Sequence, residues 1–196
     1  MTTTPKKITE FPELTTPTVN DVWQIVSGGT TYKIKASTVL ALLAAASAAE
    51  TTTGTEAGKY VTPDGLAGSD YGKRMAQANL NASVALTTSD KAYITIPAAM
   101  NGWNLVGVSA RVGDSAGNGK SSSGAVTITV KNGTTSMLST NLTIDQGEAS
   151  SATAATAAVI DTENDHVATD DSIEVACSGA GTGATYARVT LIFQKP

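Results

Sequence analysis

The chain has 196 residues, with 13 Lys+Arg against 17 Asp+Glu and a formal net charge of −4. That acidic balance argues against nucleic acid as a partner, since proteins that grip phosphate backbones draw most of their affinity from a basic excess. Charged residues are only 15% of the chain and hydrophobic ones 41%, enough for a buried core plus flanking segments, and the single cysteine excludes an intrachain disulfide framework or a Cys-rich zinc site.

The first residues carry no apolar run of the kind a signal peptide needs. Residues 22–26 alternate and a Ser27–Thr30 turn with a Gly-Gly centre follows. Residues 31–34 then return, which predicts a β-hairpin. Ser37 offers an N-cap for a short helix over 38–46 that carries Val39, Leu43 and Ala46 on one face, with Leu40 and Leu42 beside it. So short a helix is marginal alone in water, and its apolar face must dock on something. The longest apolar stretch, 39–49, is too short and too rich in Ala and Ser to span a bilayer, so no membrane insertion is expected. Residues 50–58 have the composition of a linker, Pro63-Asp64-Gly65 reads as a turn, and 73–84 as extended. The first 85 residues bury too little to form a stable monomeric domain by themselves.

From Leu86 onward short strands alternate with Gly, Asn and Asp clusters, near 92–97, 103–112, 124–131, 134–140, 141–145, 157–161, 172–177 and 185–194. The firmest signal is the alternation of 126–131 running into Asn132-Gly133, a hairpin turn if both residues take positive φ. Spacing of this kind, without a helical period, indicates an antiparallel β-sandwich of jelly-roll type. The expected core includes Ile94, Ile96, Leu105, Val108, Ile128, Ile144, Ile173, Val175, Val189, Leu191 and Phe193. The fold is therefore read as mainly β: an N-terminal hairpin and helix (1–50), a linker (51–85) and a C-terminal sandwich (86–196).

Catalytic chemistry finds no footing. The single histidine, His166, would have to serve as base in any Ser-His-Asp arrangement, no Gly-x-Ser-x-Gly elbow accompanies it, and its surroundings read as a polar loop. Asp161, Glu163 and Asp165 alternate oxygen donors, yet His166 and Ser172 stand where an EF-hand needs Gly and a bidentate Glu. An irregular Ca²⁺ site using Asp170 or Asp171 is the alternative to a solvated acidic loop over 161–171. The glycines at 179, 181 and 183 open a strand, not a helix, so that loop is a turn and not a phosphate cradle. Trp103 begins a strand and reads as a core aromatic before a sugar platform. Cys177, in an alternating run, reads as a small buried hydrophobe. No enzymatic activity, cofactor or bound metal is expected.

Three stretches together resemble tail-fibre and head-fibre proteins of tailed bacteriophages. The first runs from Ile8–Leu14 through Asp21–Val26 to Lys33-Ile34 and the helix, and is similar to a short N-terminal unit placed before a fibre. The second, Lys59–Arg74, is similar to a linker that recurs ahead of fibre terminal domains. The third combines Tyr93–Pro97, Asn101–Val106, Leu138–Asp145, Ala157–Thr162 and Phe193–Pro196, and resembles a C-terminal β-sandwich module of virion proteins. The resemblance implies a homotrimer assembled in the bacterial cytoplasm, anchored to other virion proteins of tail or capsid by its N-terminus, with an outward C-terminal domain. Trp23, Val39, Leu40 and Leu43 are the candidate anchor or subunit contacts. A host-surface glycan is the candidate ligand, through loops 113–123, 145–156 and 178–184. The alternatives are a capsid head fibre or decoration protein with a stabilising role and, from another class, a free carbohydrate-binding module.

Overall fold

The computed structural model describes residues 18, 22–27, 29–42, 45–54, 58–114, 116 and 118–196. The chain falls into two compact units, Met1–Gly65 and Leu66–Pro196.

In the first unit, β1 (Val22–Ser27) pairs antiparallel with β2 (Thr30–Lys35), Ser27 facing Thr30. This is the hairpin that the Gly-Gly centre signals. Helix α1 (Ala36–Leu42) begins at once and seats Ala36 in a buried position. It is shifted towards the N-terminus of the predicted 38–46, because β2 ends at Lys35 and leaves no residue for a separate cap. Ser37 therefore lies inside the helix.

A second helix, α2 (Ala48–Thr53), stands where linker composition predicts nothing. Its start is a capping box: the Glu50 N–H donates to Ser47 Oγ (3.2 Å), and the Ser47 N–H donates back to Glu50 Oε2 (2.9 Å). Each bond satisfies an amide that a helix start otherwise leaves open. Tyr60 O accepts from Ala46 N–H (2.9 Å) just upstream. Pro63-Asp64-Gly65, predicted as a turn, instead opens α3 (Pro63–Ala67). The Thr62 hydroxyl accepts from Gly65 N–H (3.0 Å), and Pro63 sits at the first helical position, where its missing N–H costs nothing.

The second unit takes in the end of α3 and short 3₁₀ turns at Asp70–Gly72, Ala98–Met100 and Ser151–Thr153, and its remaining regular structure is β. Its strands are β3 (Arg74–Ala85), β4 (Lys91–Thr95), β5 (Trp103–Val112), β6 (Val126–Asn132), β7 (Thr135–Ser136), β8 (Leu138–Thr140) and β9 (Leu142–Ile144). They continue with β10 (Val159–Ile160), β11 (His166–Val167), β12 (Ser172–Gly179) and β13 (Thr185–Gln194). One sheet runs β11-β5-β13-β3, and another β4-β12-β6-β7 with β9 also on β6. A two-stranded ladder joins β10 to β8. The named strand pairs are all antiparallel. The result is a mainly β fold in which antiparallel sheet curls around a core, broadly like a jelly roll. Residues 73–84, read as extended, supply most of β3, which pairs along β13 within the compact unit Leu66–Pro196.

Alternation sets the core. Along β13, Ala187, Val189, Leu191 and Phe193 are fully buried while the intervening residues are half-exposed. Leu80, Leu105, Val112, Ile128, Val130, Ile173 and Val175 meet them in one cluster, with Ile94, Val108 and Trp103 packed at its margin. The hairpin at 132–135 is present with its turn one residue later than expected. Asn132 pairs with Thr135, and only Gly133 takes positive φ (+58°). A turn whose first central residue alone is left-handed needs glycine there and leaves Asn132 in the strand.

Two outcomes follow. Phe193→Ala removes a fully buried ring and should cost about 3–5 kcal/mol in denaturant unfolding; a loss under about 1 kcal/mol would contradict this core assignment. In the first unit, the Lys59 ammonium, and then the Ser47 amide and hydroxyl, lower the Glu50 pKa from 4.5 to about 2. A depressed carboxylate stabilises above its unfolded pKa, and that contribution disappears as the proton binds. The Ser47 and Glu50 amide resonances should thus hold their native positions above pH 4.5 and move progressively as pH falls towards about 2.

Candidate functional site

Three connections between strands meet at one end of the second unit, and they are the ones the sequence marks as binding loops. The β5–β6 loop meets the β12–β13 loop through Ser122 N–H on Thr182 O (2.8 Å) and Thr182 N–H on Ser123 O (2.8 Å). Gly147 N–H, from the β9–β10 connection, donates to Ser121 O (2.9 Å). Thr185 N–H donates to Gly119 O (3.0 Å), and Gly113 N–H donates to Thr185 O (2.9 Å). At the centre the Ser121 hydroxyl is buried and lies within hydrogen-bonding distance of the carbonyls of Ser123 (2.8 Å) and Gly124 (2.6 Å). Backbone groups of the loops satisfy one another, so the end of the fold is a preorganised surface despite its Gly and Ser content.

The 145–156 connection is tied to itself as well. Asp145 Oδ2 accepts from Ala155 N–H (2.7 Å), Glu148 Oε2 from the Thr153 hydroxyl (2.6 Å), and residues 151–153 form a 3₁₀ turn. Its middle lies along β5: Val112 N–H donates to Ala149 O (2.9 Å) and Ala110 N–H to Ser151 Oγ (2.9 Å). Beside this contact is a cavity of about 310 Å³ lined by Gln77, Ser109, Ala110, Arg111, Ser150, Arg188 and Thr190.

His166, predicted in a loop, begins the short strand β11, is exposed, and pairs with Asn104. The acidic donors do not converge. Asp161 accepts from Glu163 N–H and from Asn164 Nδ2, while Asp171 Oδ2 accepts from Asn132 Nδ2 (2.6 Å) and Ala168 N–H (2.8 Å). Among the described residues no group of three His, Cys, Asp or Glu side chains is placed to hold a metal ion. Trp103 packs against the core, as its strand position predicts. Cys177 is buried and unpaired, and burial, then the charge of Asp90, push its thiol pKa up. Such a thiol is an inert core group, not a nucleophile.

Of the candidate anchor residues, Trp23 lies on β1 opposite Ile34, Val39 is half-buried on α1, and Leu40 is on the same helix. Leu43 lies outside the described residues. Among those residues no helix is long and apolar enough to cross a membrane. The cavity residues are the part that sequence reasoning missed. Alternation does place Arg111 and Arg188 outward on their strands, but their pairing depends on a register that only the fold supplies.

No protein-family model matches the chain, and no curated protein matches it. A solved structure, the cyanophage Pam1 capsid asymmetric unit, is similar at 18% identity, over 63% of this chain and 85% of that one, with a TM-score of 0.36. A likeness at that level establishes neither fold nor function.

The loop end is open to direct test. Gly181 has φ +63°, and a Cβ there would overlap the Ser121 side chain and crowd Gly124 O. Gly181→Ala should therefore cost about 1–3 kcal/mol and loosen the cluster. Amide exchange should accelerate at Ser122 and Thr182 and leave β12 unchanged; unaltered exchange at both residues would mean that the loops are not held together this way.

Proposed function

We propose that this chain is a non-enzymatic structural protein of a tailed-phage virion, a homotrimeric fibre or spike. Residues 1–50 attach it to other virion proteins through Trp23, Val39, Leu40 and Leu43. Its outward part, residues 86–196, is a β-sandwich that adheres to the host surface.

The observation that carries this reading is the loop end: three Gly- and Ser-rich loops held together on a rigid β scaffold, the usual way a binding surface is mounted. The order of the three fibre-like stretches in the sequence supports it, as does the small size of the first unit, which gains a core only from sister chains or a particle. Three identical tips acting together turn weak single contacts into strong attachment by raising the effective concentration of later ones.

A second reading, a capsid head fibre or decoration protein, is favoured by another observation. On the four-stranded sheet Met75 is 77% exposed in the cross-strand row that contains Ile192 and Gly107, and Val106, in the neighbouring bulge, is 42% exposed. Apolar side chains offered on a sheet face suit contact with another protein.

Sedimentation should return about three times the 19.8 kDa chain mass. A clean monomer at micromolar concentration would end the trimer reading and favour a free carbohydrate-binding module. Virions lacking the protein should lose adsorption to host cells. If they adsorb normally but break down faster on heating, the decoration reading replaces adhesion.

A further inference from the structure

The outward face of β5, β13 and β3 holds an arrangement that folding alone does not explain. Arg111 and Arg188 are direct cross-strand partners. Like charges set opposite each other on antiparallel strands destabilise the pair. Among the described residues neither guanidinium is in an ion pair. Arg188 lies 5.3 Å from the centroid of the Tyr186 ring, which steadies it by cation–π attraction. The next cross-strand row is Ser109, Thr190 and Gln77, and Ser150 approaches from the 145–156 connection through its bridge to Arg111. These residues and Ala110 line the cavity of about 310 Å³. No carboxylate lines it, although acids outnumber bases 17 to 13 in the chain.

We infer that this cavity binds a monosaccharide-sized sugar unit bearing an oxyanion, either a carboxylate or a phosphate. The planar guanidinium fork matches both oxyanions, and bound charge offsets the Arg111–Arg188 repulsion. Hydroxyls of Ser109, Ser150 and Thr190 and the amide of Gln77 both donate and accept, which suits a ring of sugar hydroxyls. The cavity is at the small end of ligand pockets. Ala110 is its sole apolar lining residue, so a lipophilic ligand has little to pack on. An acidic side chain from a neighbouring protein would use the two arginines and leave the four neutral groups unmatched. The assignment rests on the adhesive reading of the same unit and gives that reading a ligand class.

The test uses the full-length protein at low ionic strength, with amide shifts followed by NMR at Ser109–Arg111, Ser150 and Arg188–Thr190. Glucuronic acid and glucose 6-phosphate should move these resonances saturably. Glucose, and the acids added to Arg111→Gln or Arg188→Gln, should bind roughly tenfold or more weakly. Both variants should stay folded, since each removes repulsion. If either fails to fold, the wild-type comparison of charged with neutral sugar decides alone. Inorganic phosphate or a glutamate-containing tripeptide binding as tightly as glucuronic acid would overturn the sugar assignment, and the tripeptide result would point to a protein carboxylate. Absence of any shift with the sugar acids would overturn the site. Host adsorption is measured in parallel: adsorption without sugar-acid binding removes the pocket assignment only, whereas sugar-acid binding without adsorption removes the adhesive reading and leaves the site.

Discussion

The second unit depends on the register of one strand. β13 is the last strand in the chain and lies between β3 and β5, paired with both. Its alternation is strict: Ala187, Val189, Leu191 and Phe193 point into the core, and Arg188, Thr190, Ile192 and Gln194 point out. A slip of one residue against either neighbour would drive a guanidinium into the core and four apolar side chains into water, so the buried face fixes the register strongly. The ladder is not uniform. Bulges between Thr185 and Ala187 and between Ile192 and Phe193 bend it at both ends. Tyr186 accommodates the first of these with a positive φ (+48°).

The same register positions the surface features. Arg111 stands opposite Arg188, and Ser109 opposite Thr190, only because Leu191 is paired with Val108 and Val189 with Ala110. At the other end Gln194 Nε2 donates to Ala67 O and Ser69 O (3.0 Å each), which fastens the start of the unit to its last strand. Where β13 begins, Thr185 exchanges hydrogen bonds with Gly113 and Gly119 and so sets the first tie of the loop cluster. Core, cavity and loop end therefore share a single constraint, and a defect in the strand would reach all three.

The sequence made much of this legible, and the reason is periodicity. β5, β6, β12 and β13 alternate clearly, and nine of the eleven named core residues are fully buried; the other two, Ile94 and Val108, pack at the margin. What escaped were features that alternation does not encode. Residues 73–84 read as extended and do form most of β3, but Ala and Asn stand where Val or Ile would mark a sheet strand, so its place beside β13 is a tertiary decision. The two-residue β11 is too short to show a period. α2 starts at a Ser47–Glu50 capping box, a local signal that the linker-like Thr-rich composition of 50–58 obscures. α3 was hidden by a Pro-Asp-Gly triplet that suits a turn as well as a helix start. The clustering of the three loops and the meeting of Arg111 with Arg188 depend on pairings far apart in sequence, which no local pattern carries.

Residue-resolved hydrogen exchange across β13 tests that constraint most directly. In a central antiparallel strand successive amides bond alternately to the two neighbours. Amides from Ala187 to Phe193 should exchange slowly on both flanks, at rates set by global unfolding of the unit. Alternate residues exchanging as fast as the loops would show that one neighbour, β3 or β5, is not paired there, and the shared register of core, cavity and loop end would fail with it.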